Sequence, residues 1–290
     1  MSDSKETAVI FEVREFCLHD GPGVRTTVFF KGCPLRCTWC HNPEGLSPEP
    51  EMIFKSRRCR HCGNCGLDTS GRLKSDVDLS RLERICPNRA RMICGKRWTV
   101  DALAKELLSN VDVFSASGGG VTFSGGEPLL QTGFLERLAI RLRAEAPIHL
   151  AIETSGFAPQ EDYQRGISQM DLVFQDLKHP DPVAHRRWTG VDPAPILANL
   201  RWLKSSGKPF VARIPLMPGV NDAADVKESF ARLLDGHSGL QRVELLPYHA
   251  TAAAKYPFVG RTYQPGFDVS RAPDTDITPF ARYGIEAKVM

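Results

Sequence analysis

No stretch of this 290-residue chain reaches about 18 uninterrupted apolar residues, so the sequence offers no helix built to cross a membrane. Charge of one sign is scarce too. The 37 Lys and Arg stand against 34 Asp and Glu, a formal +3 with no basic run beside it, which argues against nucleic acid as a partner. The opening "MSDSKETAVIFEVREF" lacks the apolar core of a secretion signal, and the cytoplasm is the expected compartment. Nine cysteines, an odd number, do not suit the disulfide framework of a secreted domain. What these absences leave is a globular chain, 42% hydrophobic and 24% charged, long enough for one large domain or two smaller ones.

The cysteines themselves are unevenly placed: seven of the nine lie between Cys33 and Cys86. Cys33-x3-Cys37-x2-Cys40 has no fourth cysteine close behind. A structural zinc site closes its sphere with four ligands, whereas three thiolates suit a 4Fe–4S cluster with one iron left open. A second set, Cys59-x2-Cys62-x2-Cys65 with Cys86-Pro87, offers four ligands and resembles half of a bacterial ferredoxin. It predicts one complete auxiliary 4Fe–4S cluster, with zinc as the alternative. Cys17 and Cys94 read as plain small thiols. The segment 48–96 is basic, cysteine-rich and thin in apolar runs, so it reads as a ferredoxin-like insert stapled by metal, dividing a core of 1–47 and 97–290.

Beyond the insert, short apolar runs alternate with helical patterns. "IHLAIETSG" (148–156), "DLVFQDLK" (171–178), "FVARIPLMPG" (210–219) and "RVELLPYH" (242–249) read as buried parallel strands. Thr99 reads as the cap of a helix carrying Val100, Leu103 and Leu107. Phe134, Leu135, Leu138 and Leu142 share another helical face, as do Ile196, Leu200 and Leu203, and Val226, Phe230 and Leu233. Repeated strand–helix units imply a parallel sheet whose polar strand ends bind ligands. Glu153, Thr154, Asp176, Lys178, Arg213 and His249 are expected at those ends. In "GGGVTFSGGEP" (118–128), a strand runs into Gly125 and Gly126, whose missing side chains let backbone approach a ligand, with the Glu127 carboxylate alongside.

Together, Cys-x3-Cys-x2-Cys and a GGE turn resemble the radical S-adenosylmethionine superfamily. "LHDGPGVRT", "CTWCHNPEG", "SGGEPLLQ", "DLK" and "LLPYH" narrow the resemblance to the activating enzymes of glycyl radical enzymes, the group that includes the pyruvate formate-lyase activating enzyme. The resemblance implies a partial (β/α)6 TIM-like barrel in which S-adenosylmethionine chelates the open iron of the Cys33/Cys37/Cys40 cluster. It places Gly125, Gly126 and Glu127 at the cofactor's amino group, Trp39 and His41 near its adenine, and Asp176, Leu177, Lys178, Arg213 and His249 around the remainder. Glu153 and Thr154, with Asp176, match a site for a monovalent cation, although the family often has Asp where this chain has Glu153. Asp20 matches a position near the partner's glycine. The partner implied is a glycyl radical enzyme, with reduced flavodoxin or ferredoxin as electron donor and no membrane or nucleic acid.

Catalysis of this kind needs no general acid or base. It needs a placed cofactor, an acceptor glycine and exclusion of water. Two other readings stay open at this point: a radical enzyme acting on a small molecule or nucleoside, and a non-catalytic Fe–S electron carrier. His149, His179, His185 and His237 read as surface or loop residues. Arg57/Arg58 and Arg186/Arg187 read as solvated faces, or as a grip for an acidic partner.

Overall fold

The computed structural model describes residues 7–65, 86–236 and 238–290. His237 and the middle of the expected insert, 66–85, lie outside the described residues. The strands are β1 (Thr7–Cys17), β2 (Arg25–Phe30), β3 (Glu51–Phe54), β4 (Arg91–Cys94), β5 (Lys96–Thr99), β6 (Gly120–Gly125), β7 (His149–Thr154), β8 (Leu172–Asp176), β9 (Phe210–Leu216), β10 (Leu240–Pro247) and β11 (Ala287–Val289). The helices are α1 (Val100–Leu108), α2 (Val111–Ser117), α3 (Thr132–Glu145), α4 (Gln160–Ser168), α5 (Pro182–Thr189), α6 (Ala194–Ser206), α7 (Ala224–Leu234) and α8 (Thr278–Ala281).

A mixed nine-stranded sheet runs in the order β11-β10-β9-β8-β7-β6-β2-β1-β5, while β3 and β4 pair in a ladder of their own. Six parallel strands, β2 and β6 to β10, lie side by side in chain order, with helices in every crossover between them. The helix-facing side of these strands is apolar. Val28, Phe123, Ile152, Val173, Ile214 and Leu245 pack with Leu103, Phe134, Leu138, Leu200 and Phe230 of the helices in one core. The expected Thr99 cap is present, its hydroxyl accepting from the Ala102 amide at 3.2 Å. In α7 the buried stripe is Phe230 and Leu234, with Val226 and Leu233 only partly covered.

The other face of the sheet carries many polar groups around an apolar patch of Ala151, Leu172, Phe174 and Val211. It closes around the loop 18–24, which joins the end of β1 to the start of β2. The Asp20 carbonyl accepts from Thr122 Oγ1 of β6 at 2.7 Å, and the His19 carbonyl accepts from Arg213 Nη2 of β9 at 2.9 Å. One short loop thus touches strands three places apart, which requires a curved sheet. Arg25, fully buried, donates to Thr122 Oγ1 and to the Val121 and His149 carbonyls, and burial lowers it to about 10. β2 is buried along its whole length although it begins Arg-Thr-Thr, because those polar groups find partners inside the sheet.

Candidate cofactor site at the strand ends

At the C-terminal ends of the parallel strands lies a cavity of about 450 Å³. Cys33, Cys37 and Cys40, on the loop that follows β2, line it together with Trp39 and His41. Facing them are Gly125 and Gly126, then Glu153 and Thr154, Asp176 and Lys178, and His249. Most of the residues expected at the site therefore share one wall or another of a single cavity. Ser155 and Tyr248 also line it, and each stands next to a residue the sequence did single out.

The three thiols are half-buried. Burial pushes Cys37 up to about 12, and raises Cys33 and Cys40 as well. As free thiols they stay protonated at neutral pH, so iron must displace protons to bind them. Lys178 stands against this trend. Burial opposes its charge, but Asp176 and Cys37 outweigh it and raise the ammonium. Its Nζ donates to Asp176 Oδ2 at 2.6 Å. A cation beside three prospective thiolates favours their charged form, and the donor set suits an iron–sulfur cluster. Trp39 is buried against Trp188 and Phe267, at ring-centre distances of 6.3 and 6.5 Å. His41 meets His249 edge to face at 4.4 Å, and burial with the His249 and Lys255 charges lowers it to about 4, so it is neutral at physiological pH.

The glycine turn lines the cavity and is also packed tightly on its other side. Gly125 has φ of 112°, and a Cβ on Gly126 would stand 2.1 Å from the Gly32 carbonyl oxygen. The close approach that demands glycine is thus to the chain entering the cysteine loop, which locks turn and loop together. The Gly126 amide donates to the Phe30 carbonyl at 2.8 Å and the Glu127 amide to the Gly32 carbonyl at 2.7 Å. The Glu127 carboxylate, expected at the ligand, is instead buried. It accepts from Thr154 Oγ1, the Ser155 amide and Ser155 Oγ at 2.6, 2.9 and 2.5 Å, and does not line the cavity. Burial raises its pKa against those donors.

Two more expectations are corrected. Arg213 is not at a strand end but in the middle of β9, on the inner face. There it pairs with Glu153, donates through Nε to Glu244 at 2.9 Å, and lies 3.8 Å over the Phe174 ring. Two carboxylates, Glu153 of β7 and Glu244 of β10, share this cation, which holds the guanidinium below the cavity. Leu177 points away from the ligand side and is buried in the helix-facing core. Glu153 also accepts from Ser124 Oγ, and burial raises its pKa although Arg213 opposes the shift. Among the described residues no three His, Cys, Asp or Glu side chains gather closely enough to grip a single metal ion.

Asp20 sits at the opposite end of β2 from the cysteines. Its carboxylate accepts from Thr27 Oγ1 at 2.5 Å, and its neighbours His19 and Gly21 line a second cavity, of about 510 Å³, with Arg213, Arg242 and Glu244. His185, expected at the surface, is buried in α5, its ring against the Val191 carbonyl and Thr189 Oγ1. His149 and His179 are half-buried. Cys94 is buried and Cys17 partly exposed.

In the expected insert, Cys59, Cys65 and Cys86 are half-buried and Cys62 is exposed. Backbone amides point at two of the sulfurs: His61 N–H at Cys59 Sγ, 3.4 Å, and Ala90 N–H at Cys86 Sγ, 3.3 Å. Burial opposes the Cys86 thiolate, but the amides of Arg91, Ala90 and Asn88 outweigh it and lower the pKa. Amides aimed at sulfur suit a thiolate ligand.

The sequence family described as the radical SAM superfamily matches residues 27–233. The chain is 38% identical to the benzylsuccinate synthase activating enzyme of Thauera aromatica, over 94% of this chain and 88% of that one. It is 36% identical to the choline trimethylamine-lyase activating enzyme of Oleidesulfovibrio alaskensis, over 88% of each chain. The crystal structure of a radical SAM methyltransferase from Sphaerobacter thermophilus is similar in fold, with TM-score 0.52 and 16% identity over 97% of this chain and 76% of that one.

Proposed function

This chain belongs to the radical SAM superfamily, and on that premise we propose how its residues divide the work of activating a glycyl radical enzyme. The observation that carries the reading is one cavity in which three cysteines face a glycine turn and a Lys–Asp pair, in a chain related along 94% of its length to an activating enzyme. The chemistry supplied when a 4Fe–4S cluster and S-adenosylmethionine are bound is one-electron cleavage of the sulfonium bond, giving methionine and a 5′-deoxyadenosyl radical that takes hydrogen from a glycine of the partner.

Cys33, Cys37 and Cys40 hold the cluster. Lys178 and Asp176 place opposite charges on the far wall, matching the zwitterionic methionine end of the cofactor. Trp39, with Trp188 and Phe267 behind it, gives the apolar side that excludes water. His41, held neutral, and His249 border the adenine end. Arg213 acts one layer below, fixing Glu153 rather than touching the cofactor. Glu153, Thr154 and Asp176 as a set for a monovalent cation are not part of the proposal, since Arg213, Glu127 and Lys178 already engage them.

Residues 48–96 form, in this reading, a ferredoxin-like insert between two parts of the core, 1–47 and 97–290, with a second 4Fe–4S cluster on Cys59, Cys62, Cys65 and Cys86. The stretches 51–65 and 86–99 hold eight Lys or Arg and one Glu, a surface that suits an acidic donor such as reduced flavodoxin or ferredoxin. No helix among the described residues is long and apolar enough to cross a membrane, and the proposed compartment is the cytoplasm. The test is anaerobic incubation with reductant, S-adenosylmethionine and a purified glycyl radical enzyme encoded beside this chain. A glycyl radical signal in the partner is expected. S-adenosylmethionine cleavage with no such signal, alongside a consumed small molecule, overturns the activase reading.

A further inference from the structure

Loop 37–46 has little hydrogen bonding of its own: Cys40 N–H to the Cys37 carbonyl at 3.1 Å, Gly45 N–H to that of Asn42 at 2.9 Å, and Leu46 N–H to that of Pro43 at 3.3 Å. Half of its remaining hydrogen bonds come from side chains far away in the sequence. A 3₁₀ strap, Ala250–Val259, follows β10 and lies across the loop. Lys255 Nζ donates to Asn42 Oδ1 at 3.1 Å and to Glu44 Oε1 at 2.8 Å. Tyr256, itself buried, donates its hydroxyl to the carbonyl of Cys40 at 3.2 Å. Just past the strap, Arg261 Nη1 donates to the Pro43 carbonyl at 3.1 Å. Glu44 Oε2 is buried without a partner among the described residues, so Lys255 is the charge that compensates this carboxylate. The Tyr256 ring is fixed in turn by Tyr263 at 4.9 Å, whose hydroxyl donates to that of Tyr248 at 3.0 Å.

Tyr248 and His249, which lead into the strap, line the cofactor cavity. The same short segment therefore faces the ligand at one end and grips the cysteine loop at the other. We propose that this strap is a latch on the iron-binding loop, and that Lys255 and Tyr256 are positioning residues for the cluster the loop holds. The inference rests on the reading of Cys33, Cys37 and Cys40 given above. It adds a coupling: filling the cavity against Tyr248 and His249 steadies the strap, and the strap steadies Cys40.

The test measures iron loss to a chelator from anaerobically reconstituted protein, with and without S-adenosylmethionine, and the change the cofactor makes in the reduced cluster's electron paramagnetic resonance spectrum. Tyr256→Phe removes one hydrogen bond to a half-buried carbonyl, and iron loss is expected to quicken by about tenfold. Lys255→Met has the same direction, and Lys255→Arg restores the wild-type rate. The protection given by S-adenosylmethionine shrinks in both weakened variants. If Lys255→Met does not fold, Tyr256→Phe, which lacks only an oxygen, decides the matter. Wild-type iron loss and an unchanged cofactor-induced spectrum in Tyr256→Phe overturn the latch. Neither readout involves a partner enzyme, so that result leaves glycine oxidation untouched, whereas a wild-type chain that assembles no open-iron cluster overturns the reading on which the latch rests.

Discussion

Cys33, Cys37 and Cys40 stand on a loop tied to many parts of the chain, whereas Cys59, Cys62, Cys65 and Cys86 flank one short ladder. The first loop takes backbone bonds from α5, at Arg36 and Thr38, from the glycine turn at Gly32, and side-chain bonds from Lys31 and the strap. Among the described residues, 51–65 and 86–94 are joined by the four paired positions of β3 and β4 and by Lys55 N–H to the Ala90 carbonyl, and are tied to the core at Glu51 by Lys31 and Arg261. In the first region the protein orders the ligands before iron arrives. In the second, the proposed cluster would itself supply much of the order. In the proposed reading, one set serves to place a reacting cofactor, the other to fold the segment and pass electrons.

The largest effect that can break this comparison is expected at the core set. Cys37→Ala should remove one cluster's worth of iron and stop S-adenosylmethionine cleavage, while the insert keeps its metal; anaerobic iron analysis and product chromatography read both. Next comes Cys62→Ser with Cys65→Ser. Iron should fall by one cluster, protease cutting within 48–96 should accelerate, and cleavage driven by a chemical reductant should continue, slowing only with a protein donor. One zinc per chain in place of that iron would assign the insert to a structural zinc site.

Arg213→Met sharpens the account of the layer below the cavity. It leaves Glu153 and Glu244 without their shared cation, and unfolding by urea should show a loss of about 3–5 kcal/mol, the cost typical of breaking a buried pair from one side. A loss near zero would mean water reaches the pair. The smallest effect on cofactor cleavage is expected from Asp20→Ala, at the other end of β2. It should lower the yield of glycyl radical while leaving partner-free cleavage close to wild type.

Much of this arrangement was legible in the chain. Strands buried on both faces read as apolar runs, so β7 to β10 were recognisable, and the cysteine spacing and GGE turn announced the site. What failed did so for local reasons. β2 hides its strand character because Arg25 and Thr27 bury polar groups, Arg25 pairing with Thr122 of β6 and Thr27 with Asp20 of the loop 18–24. Arg213 looked like a strand-end residue because nothing in "FVARIPLMPG" says which face a residue takes or where pairing stops. Glu127 follows the two glycines, yet its carboxylate turns to Thr154 and Ser155, contacts 27 and 28 residues distant. Helix α4 carries few apolar residues, and only Tyr163, Gly166 and Ile167 are buried. The strap's grip on the cysteine loop spans more than 200 residues, beyond any periodicity.

The most direct test of the central claim follows one hydrogen atom. A partner glycyl radical enzyme is prepared with deuterium at the glycine α-carbon and mixed anaerobically with this protein, reductant and S-adenosylmethionine; the 5′-deoxyadenosine formed is weighed by mass spectrometry. The account predicts deuterium in 5′-deoxyadenosine in step with the growth of the partner's glycyl radical signal. Unlabelled 5′-deoxyadenosine, with no radical in any glycyl radical enzyme encoded near this chain and deuterium transferred instead from a labelled small metabolite, would contradict it.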